Sequence, residues 1–162
     1  MNDVNDMYSV IDSGFSARTP RQKWMAVIAR ATLDEIRQHL GNAPALPAFI
    51  CLRPPETGLV MVKARVGGSG AAFNLGETTV TRCSIRDDRG RIGHAYLAGR
   101  DRDTAELAAR LDAVLQDPAQ FQAFHAAVVV PLAESQLSIQ NAEARRAAAT
   151  EVEFFNLKTM RS

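Results

Sequence analysis

The sequence predicts an α+β fold: an antiparallel meander of about four strands, packed by helices, with a helical C-terminal segment. Three observations carry this. A helix start signal stands at Thr19-Pro20-Arg21-Gln22. Short apolar and β-branched runs alternate with Gly and Pro breaks between Ala48 and Ala98. After Gly99 the apolar spacing changes from alternation to a helical period, which persists to about Thr150.

Composition fits one domain with a real core. The chain has 162 residues, 46% of them apolar and 23% charged. A chain of this size buries roughly 68–70% of its unfolded surface. The formal net charge is +1, so no global field draws in nucleic acid or acidic lipid. No apolar run is long enough to span a membrane, and the acidic start MNDVNDMYSVIDSG does not resemble a signal peptide. The two cysteines, Cys51 and Cys83, have no metal or redox spacing. The expected setting is a reducing cytoplasm.

Residues 1–18 read as a mobile arm, residues 19–150 as the α+β domain, and residues 151–162 as a tail. In the first helix Thr19 is the cap, Pro20 takes the first helical position and Gln22 closes a capping box. Trp24, Val27, Ile28, Ala31, Ile36 and Leu40 continue one stripe, and Gly41 is placed to end it in a left-handed conformation. Ala48–Arg53 is a short strand, Pro54-Pro55-Glu56-Thr57-Gly58 a turn, and Leu59–Val66 a second strand. Thr78–Arg86 is a third strand, Asp87-Asp88-Arg89-Gly90 a turn, and Ile92–Ala98 the fourth. In that last strand Ile92, His94, Tyr96 and Ala98 alternate against Gly93, Ala95 and Leu97, and His94 is expected to be partly buried.

Asp103-Thr104-Ala105-Glu106 reads as a second capping box, followed by the stripe Leu107, Ala108, Leu111, Val114 and Leu115. This helix and the first are expected to cover the sheet. Asp117-Pro118 starts another helix through Phe121, Phe124 and Val128, and Pro131 restarts the chain into a long helix, Leu132 to Thr150. Its stripe of Leu132, Ile139 and Ala142 is thin. Phe154-Phe155 make an apolar chain end, where frayed polar residues are usual. Thin stripe and apolar tail together predict a C-terminal segment that reaches a partner subunit.

The chemistry-bearing candidates are few. Gly67, Gly68 and Gly70 join two strands, with no following helix and no P-loop Lys-Ser/Thr, so this is not a nucleotide fingerprint. It reads as a flexible hairpin connection, or as backbone open to close approach by a partner chain or an anion. Arg65, Arg82 and Arg100 stand at or near strand ends, where they could converge on phosphate or form ordinary surface ion pairs. In the cluster Asp101, Asp103 and Glu106, capping accounts for the last two and leaves Asp101 unexplained. His39, His94 and His125 are scattered, so the spacing supports neither a metal site nor a catalytic triad. No catalytic residue is assigned. Cys83 has nothing beside it in sequence to activate a thiolate.

Taken in order, these residues resemble a known family. Arg21, Trp24 and Met25 are followed by Glu56-Thr57-Gly58-Leu59-Val60 and Ala64-Arg65-Val66-Gly67-Gly68-Ser69-Gly70. Phe73, Gly76 and Thr79-Val80-Thr81-Arg82 come next, then Gly99-Arg100-Asp101, Ala105-Glu106, Asp112-Ala113, Pro131-Leu132 and Phe154-Phe155. The pattern, from Thr19 to Phe155, resembles the G subunit of the bacterial phosphonate carbon–phosphorus lyase system, the PhnG family. The chain departs from it at the end: Asn156–Ser162 lacks the Arg-Gly-Asp stretch that commonly follows the paired phenylalanines.

The resemblance implies a subunit that assembles with the H, I and J subunits, the I subunit being the nearest expected partner. With the I, H and L subunits it would act in replacing the adenine of ATP by a phosphonate, giving α-D-ribose 1-methylphosphonate 5-triphosphate. ATP, with magnesium, is then a substrate of the assembled complex. This chain is expected to hold no cofactor and not to be catalytic alone. Arg65, Gly67, Gly68, Gly70, Arg82, Arg100 and Asp101 become candidates for phosphate contact, and Trp24, Phe154 and Phe155 candidates for a partner interface. A reading from another class, a small-molecule-binding or self-assembling module unrelated to phosphonates, stands beside it.

Overall fold

A computed structural model describes residues 18–65 and 71–149. Most of the N-terminal arm, the glycines Gly67, Gly68 and Gly70, and the tail with Phe154 and Phe155 lie outside the described residues.

The first helix is two helices. α1 spans Pro20–Ile28 and α2 spans Leu33–Leu40. Thr19 and Gln22 form the expected capping box. A second box closes at Thr32, whose hydroxyl accepts from the Glu35 N–H while Glu35 accepts from the Thr32 N–H at 2.8 Å. Thr32-Leu33-Asp34-Glu35 satisfies the helix start better than it continues the previous one, because the capping hydroxyl replaces a backbone acceptor. Both helices still bury the predicted stripe: Trp24, Val27, Ile28 and Ile36. Gly41 ends α2 with φ −58°, so the left-handed cap does not form.

Among the described residues the sheet has three antiparallel strands in the order β1-β2-β3, not the four expected. β1 is Phe49–Arg65, β2 Ala72–Asp87 and β3 Ile92–Ala98. The expected turn at Pro54–Gly58 lies inside β1. Pairing to β2 slips between Cys51 and Arg53 and again between Arg53 and Glu56. β1 is an edge strand, so the two prolines withhold donors that bulges and the outer edge do not require. The turn after β2 matches expectation: Gly90 has φ 84°, and Asp87 accepts from the N–H groups of Arg89 and Arg91.

α3 (Arg102–Val114) is the helix that covers the sheet, and α1 lies against α3 at the β3 edge. Its fit is set by Gly93: a Cβ there would stand 1.9 Å from the Ala109 carbonyl oxygen. Only a glycine lets helix backbone approach a strand this closely. Cys83, Ile85, Ala95 and Leu97 face α3, with Ala105, Ala108, Ala109, Leu111 and Val114 opposite.

α4 (Pro118–Phe124) starts on the Asp117 cap, passes through a π-helical turn at His125–Val129 and continues as α5 (Val130–Ala148). Pro131 does not restart the chain. Its ring would collide with the Ala127 carbonyl in a regular helix, and the wider turn just before it accommodates that. Phe124, Val128, Val129 and Leu132 close the core. Beyond Ala133 no described residue of α5 is buried, and Ile139 is exposed, as the thin stripe predicted.

Candidate functional site

All this packing uses one sheet face. On the other, Ile50, Ile92 and Tyr96 are exposed around Arg53, Glu56, Arg82 and His94. His94 is therefore a surface residue, its Nδ1 2.9 Å from the Ser84 hydroxyl. Glu56 lies between two cations: Arg82 Nε at 2.7 Å and Arg53 at 3.0 Å donate to its Oε1. The Arg82 hydrogen bond is the main cause that holds the Glu56 carboxyl below the usual range.

Past Gly58 and Val80, β1 and β2 leave the body as a two-stranded arm. Ala72–Thr78 are all exposed, and Leu59 and Leu75 each show 64% of their surface. Met61 and Phe73 are exposed as well. A two-stranded ribbon is marginal in water unless something covers it.

The three arginines do not converge. Arg65 pairs with Ala72 near the far end of the arm. Arg82 faces Glu56, nine residues back along β1, which is ~30 Å away at strand rise. Arg100 is exposed beyond the Val80–Ala98 pair that ends β3. Asp101, the carboxylate left unexplained, is the true α3 cap. It accepts from the Thr104 N–H at 2.9 Å and from the Thr104 hydroxyl, and the hydroxyl contact chiefly lowers its carboxyl. Asp103 and Glu106 do not form the cap. The cap stands two residues earlier than expected and no capping box forms, an ambiguity built into Gly-Arg-Asp-Arg-Asp.

Trp24, a candidate for a partner interface, is buried inside this chain. It is 7% exposed, packs its ring 5.7 Å from Phe121, and donates its Nε1–H to Asp112 at 3.0 Å. Asp112 is a buried hub: Arg21 grips both its oxygens and the His94 N–H donates to Oδ2 at 2.9 Å. Arg21, Trp24 and Asp112 were singled out by sequence, but their mutual contact was not, since 88 to 91 residues separate them along the chain.

Cys83 is buried, and burial is the chief cause that pushes its thiol up to about 12. Among the described residues no group of three or more His, Cys, Asp or Glu side chains could hold a metal ion. No described helix is long and apolar enough to cross a membrane.

Among the described residues the candidate side chains for phosphate contact lie on exposed surface. A model of the family described as "Phosphonate metabolism protein PhnG" matches residues 19–161. A relative from Rhizobium meliloti (strain 1021), the alpha-D-ribose 1-methylphosphonate 5-triphosphate synthase subunit PhnG, is 42% identical over 141 residues. The match covers 85% of this chain and 87% of that relative. On both grounds, the chain belongs to the PhnG family of phosphonate metabolism proteins.

Proposed function

We propose that this chain is the G subunit of a carbon–phosphorus lyase complex in organic phosphonate catabolism. It supports formation of α-D-ribose 1-methylphosphonate 5-triphosphate from ATP and methylphosphonate, with release of adenine. Its partners in this reading are the H, I and J subunits, the I subunit nearest, with the L subunit acting alongside. ATP with magnesium belongs to the assembled complex, and the setting is cytoplasmic.

The observation that carries the proposal is the unpartnered surface in a chain of this family: a bare sheet face continuous with an arm exposing Leu59, Met61, Phe73 and Leu75. Such surface is what a subunit presents to its neighbours. The phosphate-contact role then falls to Arg65 and Arg100, with the backbone of Gly67, Gly68 and Gly70 beside Arg65. Arg82 and Asp101 are less available, being held by Glu56 and Thr104. Phe154 and Phe155 serve as anchors on a partner.

Adenine release tests this. The purified chain with ATP and methylphosphonate should release none, and adding the H, I and L subunits should start release. Turnover by the lone chain, or full turnover by the other subunits without it, would overturn the reading.

A further inference from the structure

Among the described residues, the sheet has its third strand only where β3 runs. β3 pairs with β2 from Arg86 to Val80, and the chain then turns away at Gly99, φ 97°. The last link is the Gly99 N–H to the Thr79 carbonyl at 2.9 Å. Beyond it β2 continues through Ala72–Thr78, paired with β1 on one side. In an antiparallel ladder a residue's N–H and C=O leave the strand on the same side, and that side alternates along the chain. The Thr79 carbonyl points to the β3 side. Between Thr79 and Glu77 the register is unbroken, so Glu77 directs its N–H and C=O to that same vacated side.

The two edges of this ribbon differ in composition. Along the arm the β1 edge carries Lys63 and Arg65, charged residues that discourage strand addition. The segment Ala72–Thr78 has no proline, no lysine and one charge, Glu77; its register is unbroken from Thr79 to Gly76 and then shifts by one residue at Leu75. Opposite Thr79–Gly76 its neighbours on β1 are apolar on both faces, Leu59 and Met61 on one and Val60 and Val62 on the other, while Asn74 and Ala72 pair with Lys63 and Arg65.

We infer that the free β2 edge at Ala72–Thr79 accepts an extended strand from a different subunit, laid end to end with β3. The inference rests on the subunit reading above and specifies how docking occurs. The incoming strand is about seven residues long at strand rise. It is apolar on both faces and carries a Lys or Arg beside Glu77. A second copy of this chain fits less well, because its own Ala72–Thr79 has no basic residue to offer.

The test uses Glu77→Pro in the complex assembled with the other subunits. Proline here removes an N–H that points away from β1, so the β1–β2 ladder is retained. Complex recovery should fall about tenfold, a loss of edge hydrogen bonds and steric fit. The melting temperature of the isolated variant should hold, and Glu77→Ala, which loses only the charge contact, should assemble better than Glu77→Pro and less well than wild type. Amide exchange across residues 72–79 of the wild-type chain should slow about tenfold or more on assembly. That measurement also decides the matter if Glu77→Pro unfolds. Normal assembly of a folded Glu77→Pro, or unchanged exchange, overturns the inference and leaves the subunit reading intact. Failure of the wild-type chain to assemble overturns both. Concentration-dependent protection with a doubled mass in the isolated chain assigns the edge to a second copy and overturns the foreign strand.

Discussion

Arg21 on α1 and Asp112 on α3 meet through two parallel hydrogen bonds, Nε to Oδ1 at 3.1 Å and the terminal nitrogen to Oδ2 at 2.7 Å. The Asp112 side chain is 1% exposed, and its two oxygens also take the Trp24 indole and the His94 amide. One carboxylate therefore ties two helices and a strand together. Planar bidentate geometry is what arginine supplies and lysine does not.

Asp112→Ala should destabilise the fold by about 3 kcal/mol, because it strands the buried Trp24 donor, the part-buried His94 N–H and the Arg21 cation together. Trp24→Phe, which removes only one donor, should cost about 1–2 kcal/mol. Urea unfolding of the isolated chain checks both. An Asp112→Ala loss no larger than that of Trp24→Phe would show that water replaces the hub.

Gly93→Ala should be among the most damaging one-carbon changes. The new Cβ meets Ala109 O at 1.9 Å and Ala113 N at 2.7 Å, both backbone atoms of α3 that cannot rotate aside. Overpacking of this kind costs about 1–3 kcal/mol even where the surroundings yield. Gly58→Ala, with nothing within 4 Å of its Cβ and no positive φ, is the control. Near-equal melting temperatures for the two variants would contradict the close contact of α3 with β3.

Thiol chemistry should separate the two cysteines. Cys51 is exposed and Cys83 buried, with the Cys83 thiol pushed up to about 12 chiefly by burial. At neutral pH a disulfide reagent should titrate one thiol quickly and the second only on unfolding. The raised thiol also sets a pH window. The folded state holds Cys83 neutral, so its contribution is full below the ordinary value of 9.0 and is lost as pH rises toward about 12. Stability of Cys83→Ala should fall less steeply over that alkaline range than that of wild type.

Arg65→Ala should leave assembly intact and raise the ATP or phosphonate concentration that the complex needs. Steady-state adenine release measures this, with Arg82→Ala as comparison. The Arg82 change should act less, since its guanidinium is engaged by Glu56. Unchanged kinetics for Arg65→Ala would remove it as a phosphate contact. Phe154→Ala with Phe155→Ala should weaken assembly more than it lowers the chain's own melting temperature. The reverse order would place the tail in this chain's core.

Much of the fold was legible because its signals are local. The Thr19 capping box, the Ile92–Ala98 alternation, the Asp87–Gly90 turn and the thin stripe of the last helix each depend on residues within a few positions of one another. Local signals misled where two readings competed. Thr32 could continue a stripe or cap a helix, Asp101 and Asp103 could each be the cap, and Pro54-Pro55 could end a strand or bulge one. The first two were settled by hydrogen bonds three residues apart, Thr32 with Glu35 and Asp101 with Thr104, and the third by the pairing of β1 with β2.

By itself the sequence determined the α+β class, the helical faces, the family and the set of arginines and glycines worth testing. Only the tertiary structure decided which of these residues meet. Arg82 is drawn to Glu56 through strand pairing across 26 positions, and Arg21 and Trp24 to Asp112 across about 90. Arg65 is carried to the far end of the arm because the β1–β2 ladder runs past the end of β3. The physical reason is common to all three. Ladder register and helix-on-sheet packing are long-range relations, set by the burial of the whole core, and they determine both what is occupied inside and what edge is left open.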